Sequence, residues 1–303
     1  MKFYLSGTTK STRHGGKLVV DAAIERRCPR LFTFAYAKEA IEELDYWTAS
    51  GVRGDIMIDC GAFSAWNKGM QIRNEDVIAW DKHLLAKYGA HHDFTFVALD
   101  VIPGKRGVAP VAEDVVLGMQ QSLQNYLDMR AALDAPVVPI FHTGEPASYR
   151  DELLGHTNWI GFGLSQNLSE NQRVQFAEQY FVPGSKVHGM AATGQRMMAC
   201  APWFSVDSAT WVMVAALGGI LWNTAKGMKG ISLSSTSPAL KKLDGHLDNM
   251  SEGPFIRQEI ERRGYSVQEL ADDYVKRWVW NVHAVADCYR PSVPLLQQGL
   301  FDA

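Results

Sequence analysis

Eight short runs of apolar, β-branched or aromatic residues recur along the chain, most of them separated by longer stretches of helical period. That alternation restricts the fold more than any other feature. The strands read over 2–6, 31–36, 55–59, 94–101, 137–141, 159–164, 186–191 and 203–207. Amphipathic helices fall over 37–50, 73–88, 112–133 (opened by Glu113 and Asp114), 146–154 and 170–180. Strands apolar along their whole length are buried on both faces, as in a parallel sheet covered by helices. Eight of them predict closure into an α/β protein of the (β/α)8 TIM-barrel kind. An open doubly wound sheet is the alternative, but no glycine-rich phosphate turn follows the first strand, and Gly15-Gly16 lies in a polar, basic loop over 10–17.

After residue 217 the pattern changes. Runs over 220–224 and 230–234 flank Ala225-Lys226-Gly227-Met228-Lys229, which reads as a β-hairpin with a basic tip. Helices over 254–263 and 267–289 follow; the second carries Trp278, Trp280, Val282 and Val285 and is expected to lie on the barrel. The organisation expected is a barrel over 1–217 with a hairpin and helical extension over 218–303 packed on it, one compact domain overall. Among 303 residues, 47% hydrophobic, no run of about 18 apolar residues predicts a membrane span. No basic head with a long apolar run opens the chain, so no signal peptide is expected. Cysteines at 28, 60, 200 and 288 show neither CxxC pairing nor zinc-type spacing, which suits a reduced, cytoplasmic protein. A net charge of −3 excludes a global basic field, so a polyanion would need a local patch.

Four strand ends carry the chemistry. The third run finishes Ile58-Asp59-Cys60-Gly61-Ala62-Phe63-Ser64, the fourth Leu99-Asp100-Val101-Ile102-Pro103, the fifth Phe141-His142-Thr143-Gly144-Glu145, and the eighth is Trp203-Phe204-Ser205-Val206-Asp207-Ser208. A carboxylate among aromatic and β-branched residues is costly to bury without a task. In a barrel the C-terminal strand ends converge on one mouth. Three carboxylates there repel one another and spread their pKa values, which suits a nucleophile beside a proton carrier. Each has a plainer reading: Asp207 as the cap of the helix it precedes, Asp59 as a turn residue, Asp100 as a cap, His142 as a satisfied core imidazole. Gly161, Gly163, Gly189 and Gly194 suggest bare backbone against which a flat ligand lies.

These segments resemble a known family. Asp59-Cys-Gly-Ala-Phe-Ser resembles the Asp-Ser-Gly-Gly-Phe-Gln segment of tRNA-guanine transglycosylases, and Leu99-Asp100-Val-Ile-Pro their Asp-containing segment closing the fourth strand. Ile160-Gly161-Phe-Gly163-Leu164 is similar to their Gly-Gly-Leu-Ala turn, and Val206-Asp207-Ser208 stands where their nucleophilic Asp follows a short apolar strand. Lys186-Val-His-Gly-Met-Ala-Ala-Thr-Gly194 and Phe204–Trp211 look closer still to the phage-type DNA-guanine transglycosylases, which put 7-deazaguanines into DNA. The likeness spans roughly residues 1 to 235. It implies a base flipped into the mouth, Asp207 as nucleophile at C1′, Asp59 as general acid/base, and Asp100 accepting from the N1–H and exocyclic amine. It further implies Gly163, Leu164 and His142 on the O6 side, with Gly161 in the same turn, and Phe63 and Met190 stacking on the ring.

The implied partners are guanine-containing DNA and a free 7-deazaguanine of the preQ0 type, with no membrane and, if the chain is phage-encoded, a host cytoplasm. The tRNA enzymes hold zinc in three closely spaced Cys and a His; Cys288 has no such company, so neither metal nor organic cofactor is expected. That absence favours DNA, with tRNA exchange or a non-catalytic modified-base-binding homologue as alternatives. Lys10, Arg13, Lys226, Lys229, Arg262 and Arg263 are candidate phosphate contacts, though any one of them alone is more readily read as solvated surface.

Overall fold

The computed structural model describes residues 1–7, 16–104, 111–164, 168–192, 194–224, 227–233 and 245–289. The eight apolar runs form strands, and the elements follow in order as β1 (Lys2–Leu5), α1 (Gly16–Glu25), β2 (Arg30–Thr33), α2 (Ala37–Ala49), β3 (Asp55–Asp59), α3 (Ala62–Lys68), α4 (Asn74–Tyr88), β4 (Asp93–Val97) and α5 (Ala112–Ala132). The second half of the barrel is β5 (Val137–Val138), β6 (Ile140–His142), α6 (Ala147–His156), β7 (Trp159–Gly163), α7 (Glu170–Tyr180), β8 (Lys186–Met190), α8 (Gln195–Ala199), β9 (Ser205–Ser208) and α9 (Thr210–Ala216). The extension consists of β10 (Gly219–Thr224), β11 (Gly227–Ser232), α10 (Gly253–Arg262), α11 (Val267–Asp272) and α12 (Tyr274–Tyr289).

The nine barrel strands pair in parallel in the order β5-β4-β3-β2-β1-β9-β8-β7-β6. The first joins the last through Lys2↔Ser205 and Tyr4↔Asp207. The two ends of that order are the halves of one sequence run, divided at Pro139. A proline has no N–H to give to a ladder. Val138 therefore pairs with Val97 on one side while Ile140 pairs with Gly161 on the other, and the barrel is nearly closed. Period-two alternation sends Tyr4, Leu31, Met57, Val97 and Ile140 into an inner cluster with Trp159 and Met190. Their neighbours Phe3, Ile58, Phe96, Phe141, Phe162, Val187 and Val206 face outward into the layer shared with the helices.

Several expected elements differ in extent. Phe34–Tyr36 leaves the second strand for a 3-10 turn, capped where Thr33 Oγ1 accepts from the Ala35 N–H at 3.4 Å. The fourth strand ends at Val97 rather than 101, and side chains of α5 take over as partners. Asn125 Nδ2 donates to the Leu99 carbonyl at 2.9 Å, and Ser122 Oγ accepts from the Val101 N–H at 2.8 Å. The expected helix over 267–289 breaks at Asp273, whose Oδ1 accepts from the Val275 N–H. Helices α1, α3 and α8 are additional to the expected ones; α1 is as amphipathic as α2, and Gly16, read as part of a polar loop, opens it, while α3 and α8 are only two turns or less. The hairpin is tighter than expected: its ladder runs to Thr224↔Gly227, so Lys229 lies inside β11 opposite Trp222.

The extension is fastened by buried polar side chains of α12. Asn281 accepts from the Leu221 N–H at 2.6 Å and donates to the Trp211 carbonyl at 2.8 Å, and Arg277 Nε donates to the Ala215 carbonyl at 2.8 Å. Phe3 stacks on Tyr289 with ring centres 5.0 Å apart. Among the described residues no helix is long and apolar enough to cross a membrane.

Candidate active site

Alternation along β3 and β9 turns Asp59 and Asp207 inward at the C-terminal ends of their strands, while Asp100 follows β4 on the segment held by α5. Asp207 is 6% exposed. Its Oδ1 accepts from the Ala191 N–H at 2.7 Å and lies 3.4 Å from His188 Nε2. Ala191 reaches it from a left-handed conformation (φ 49°) that a residue with a Cβ rarely adopts. The helix-cap reading of Asp207 does not hold, because Ser208 Oγ takes the Thr210 N–H at 2.8 Å.

Asp59 Oδ2 accepts from the Gly61 N–H at 3.1 Å, the part of its turn reading that stands. Burial pushes its carboxyl up to about 6; the Thr33 hydrogen bond opposes this, the charges of Asp100 and Asp207 reinforce it, and the Gly61 bond opposes it again. The charges of Asp100 and Asp207 both act on Asp59, as expected of carboxylates at the C-terminal ends of neighbouring parts of one barrel. Asp100 Oδ2 lies 2.7 Å from His142 Nε2, and Cys60 Sγ donates to Asp100 Oδ1 at 3.4 Å. Burial would lower the His142 pKa, but the bond to Asp100 and the charges of Asp100 and Glu145 outweigh it and raise the imidazole overall. Glu145, 2% exposed, accepts from the His142 N–H at 2.6 Å, and burial pushes its carboxyl up to about 7. The Cys60 thiol is raised well above its ordinary value, by burial first and then by Asp100 and Asp59.

The glycines of β7 make room for neighbouring side chains. A Cβ on Gly163 would stand 2.2 Å from His142 Nδ1, and one on Gly161 would stand 2.4 Å from Ile140 Cδ1. Both glycines make room for side chains of β6, so Gly163 is where the imidazole lies. Gly189 likewise gives way to Ala192 and Trp203, with a notional Cβ 2.6 Å from Ala192 Cβ. The side chain of Leu164 packs in the outer core.

Met190 lies at the end of β8, against the inner cluster. Phe63 is instead 44% exposed on α3, its ring 6.1 Å from that of Trp66. A cleft of about 600 Å³ lies outside the mouth, lined by Val101–Gly104 and by Asp114, Leu117, Gly118, Gln120 and Gln121; the mouth carboxylates are not part of its lining.

Among the described residues, each candidate phosphate contact is already paired with a carboxylate. Lys229 pairs with Glu252 at 3.3 Å, Arg262 with Glu259 at 2.6 Å, and Arg263 with both Glu259 (2.8 Å) and Asp287 (3.1 Å). A phosphate would have to compete with these carboxylates. Lys10, Arg13 and Lys226 lie outside the described residues.

Three site neighbours had no assigned part in the sequence reading: Cys60, Glu145 and His188. Their contacts join different strands or cross a turn. Only for His188 was a signal present, since it sits at an inward position of its strand.

No family model and no curated protein matches the chain. Among solved structures it is similar to N-acetylneuraminate lyase from Mycoplasma synoviae, at 13% identity and a TM-score of 0.44, covering 69% of this chain and 68% of that one. The barrel assignment rests on the strand order described above, and a likeness of that size adds nothing about chemistry.

Proposed function

We propose that the protein is a barrel pentosyltransferase that exchanges guanine in DNA for a 7-deazaguanine base through a covalent glycosyl–aspartate. The observation that carries this reading is the unequal pair of aspartates at one mouth. Asp207 is restrained by the Ala191 N–H, while Asp59 holds its proton up to about pH 6. A carboxylate oriented by a backbone N–H, beside a buried carboxyl that keeps its proton to higher pH than usual, suits a nucleophile and a proton carrier.

In the first half-reaction Asp207 attacks C1′ as the N-glycosidic bond breaks and guanine leaves with a proton from Asp59. In the second, Asp59 takes the N–H proton of the incoming base, whose nitrogen attacks C1′ and releases Asp207. One N-glycosidic bond is broken and one formed, so no energy-rich co-substrate is needed. The Asp100–His142 pair offers an acceptor beside a donor, which matches the guanine edge carrying N1–H and O6. A reducing compartment such as the cytoplasm suits cysteines at 28, 60, 200 and 288 that form no disulfide.

The test is exchange of labelled guanine into DNA and tRNA side by side. DNA should incorporate label, and a covalent protein–DNA band should survive denaturing electrophoresis. Asp207→Ala should abolish both while base binding, measured by calorimetry, stays largely intact. Label entering tRNA alone would overturn the DNA assignment. Absence of label and adduct with either nucleic acid would overturn the reaction itself.

A further inference from the structure

Strands β8 and β9 pair with His188 opposite Ser205, one layer below the mouth, and both residues are fully buried. The imidazole touches polar groups at both nitrogens. Nδ1 lies 2.8 Å from Ser205 Oγ, and Nε2 lies 3.4 Å from Asp207 Oδ1, within reach but not aligned for a hydrogen bond. An apolar residue would fill this layer of the barrel at less cost, since a buried ring nitrogen without a bond is unfavourable. The edge of the Tyr4 ring supports the imidazole from the side, with centres 6.0 Å apart, and Tyr4 is itself held by Asp55 through its hydroxyl at 2.8 Å. The ring is therefore fixed in place, and the part of its contact still open is the one toward Asp207.

We infer that His188 is the positioning residue of Asp207: Ser205 donates its hydroxyl hydrogen to Nδ1, which places the ring proton on Nε2, and that N–H holds Oδ1. Which nitrogen carries the proton follows from the bond made by the other one. The Ala191 N–H also binds Oδ1. Two donors on one oxygen fix the plane of the carboxylate and turn Oδ2 toward the incoming sugar. No proton moves through His188 in either half-reaction. Its part is to orient an anion that would otherwise rotate about its own χ2.

The inference rests on Asp207 being the nucleophile proposed above, so its test has an arm that needs no turnover. Long-range proton–nitrogen spectra of the full-length protein should show His188 as the Nε2–H tautomer. Its Nε2 signal should move in Asp207→Asn, and Ser205→Ala should mix the tautomers. A His188 signal with the proton on Nδ1, indifferent to Asp207→Asn, would overturn the contact. In the exchange assay His188→Ala should lower kcat roughly 10- to 100-fold, the worth of a hydrogen bond to a charged group, with KM for the base unchanged. His188→Gln, which keeps a donor, should recover much of that rate. Loss confined to KM, or equal loss in the Ala and Gln variants with intact folding, would overturn the positioning role. If the wild-type protein exchanges no base, the reaction assignment fails and the spectra still decide the contact.

Discussion

Asp59 is the residue at which charge and stability oppose each other. Its folded carboxyl titrates near 6 against an ordinary value of 3.8, so the folded state binds this proton more tightly than the unfolded chain does. The stabilisation it gives is complete below about 3.8 and is lost as pH rises through about 6. Asp59→Asn should therefore stabilise the protein at pH 7–8 by about 1–2 kcal/mol, less than the whole shift implies because the side chain keeps some contact with solvent. The substitution should flatten the dependence of melting temperature on pH between 4 and 6 while removing exchange. Thermal melts over that range check it; a variant less stable than wild type at pH 8 contradicts the assignment. The position of Asp59 and Asp207 was legible in the sequence because each ends an apolar run. The bonds that distinguish them were not. The Ala191 N–H that holds Asp207 comes from a left-handed residue, and no propensity announces an alanine in that conformation.

At the level of elements, strand centres were readable and strand ends were not. Apolar character continues past Thr33 and past Val97, but Thr33 caps a turn and α5 replaces the missing neighbour of β4, and both are tertiary events. Pro139 was visible as a residue, yet its effect, one run divided between two ladders, depends on which strands flank it. In β7 the glycines read as a bed for a ligand also accommodate side chains of β6. The two glycines should respond differently to a methyl group. Gly163→Ala drives a Cβ into the rigid His142 ring and should cost about 1–3 kcal/mol and weaken base binding by displacing His142 from Asp100. Gly161→Ala meets only the far end of Ile140, which can swing aside, and should cost less than about 1.5 kcal/mol with base binding kept. Equal effects in paired melts and binding titrations would count against this reading of β7.

For the whole molecule, the sequence reading of a barrel with an extension packed on it leaves open whether the two melt together. Asn281 argues that they do, because one amide satisfies backbone groups of both β10 and α9. Asn281→Ala removes the partner of the buried Leu221 N–H and should cost about 1–3 kcal/mol. Unfolding should remain a single transition by fluorescence and circular dichroism; two separated transitions would mean independent units. The division at Pro139 bears on the barrel differently. Above Val138 the strands on either side of that proline have no shared ladder, and the Asp100–His142 bond is what spans the gap. A base gripped by both residues would act as a clasp across this seam. The Leu99 amide beside it, whose N–H meets, among the described residues, only Met129 Sδ at 3.3 Å, should slow in deuterium exchange when a purine is bound, so that occupancy of the site is felt as mechanical closure of the wall around it.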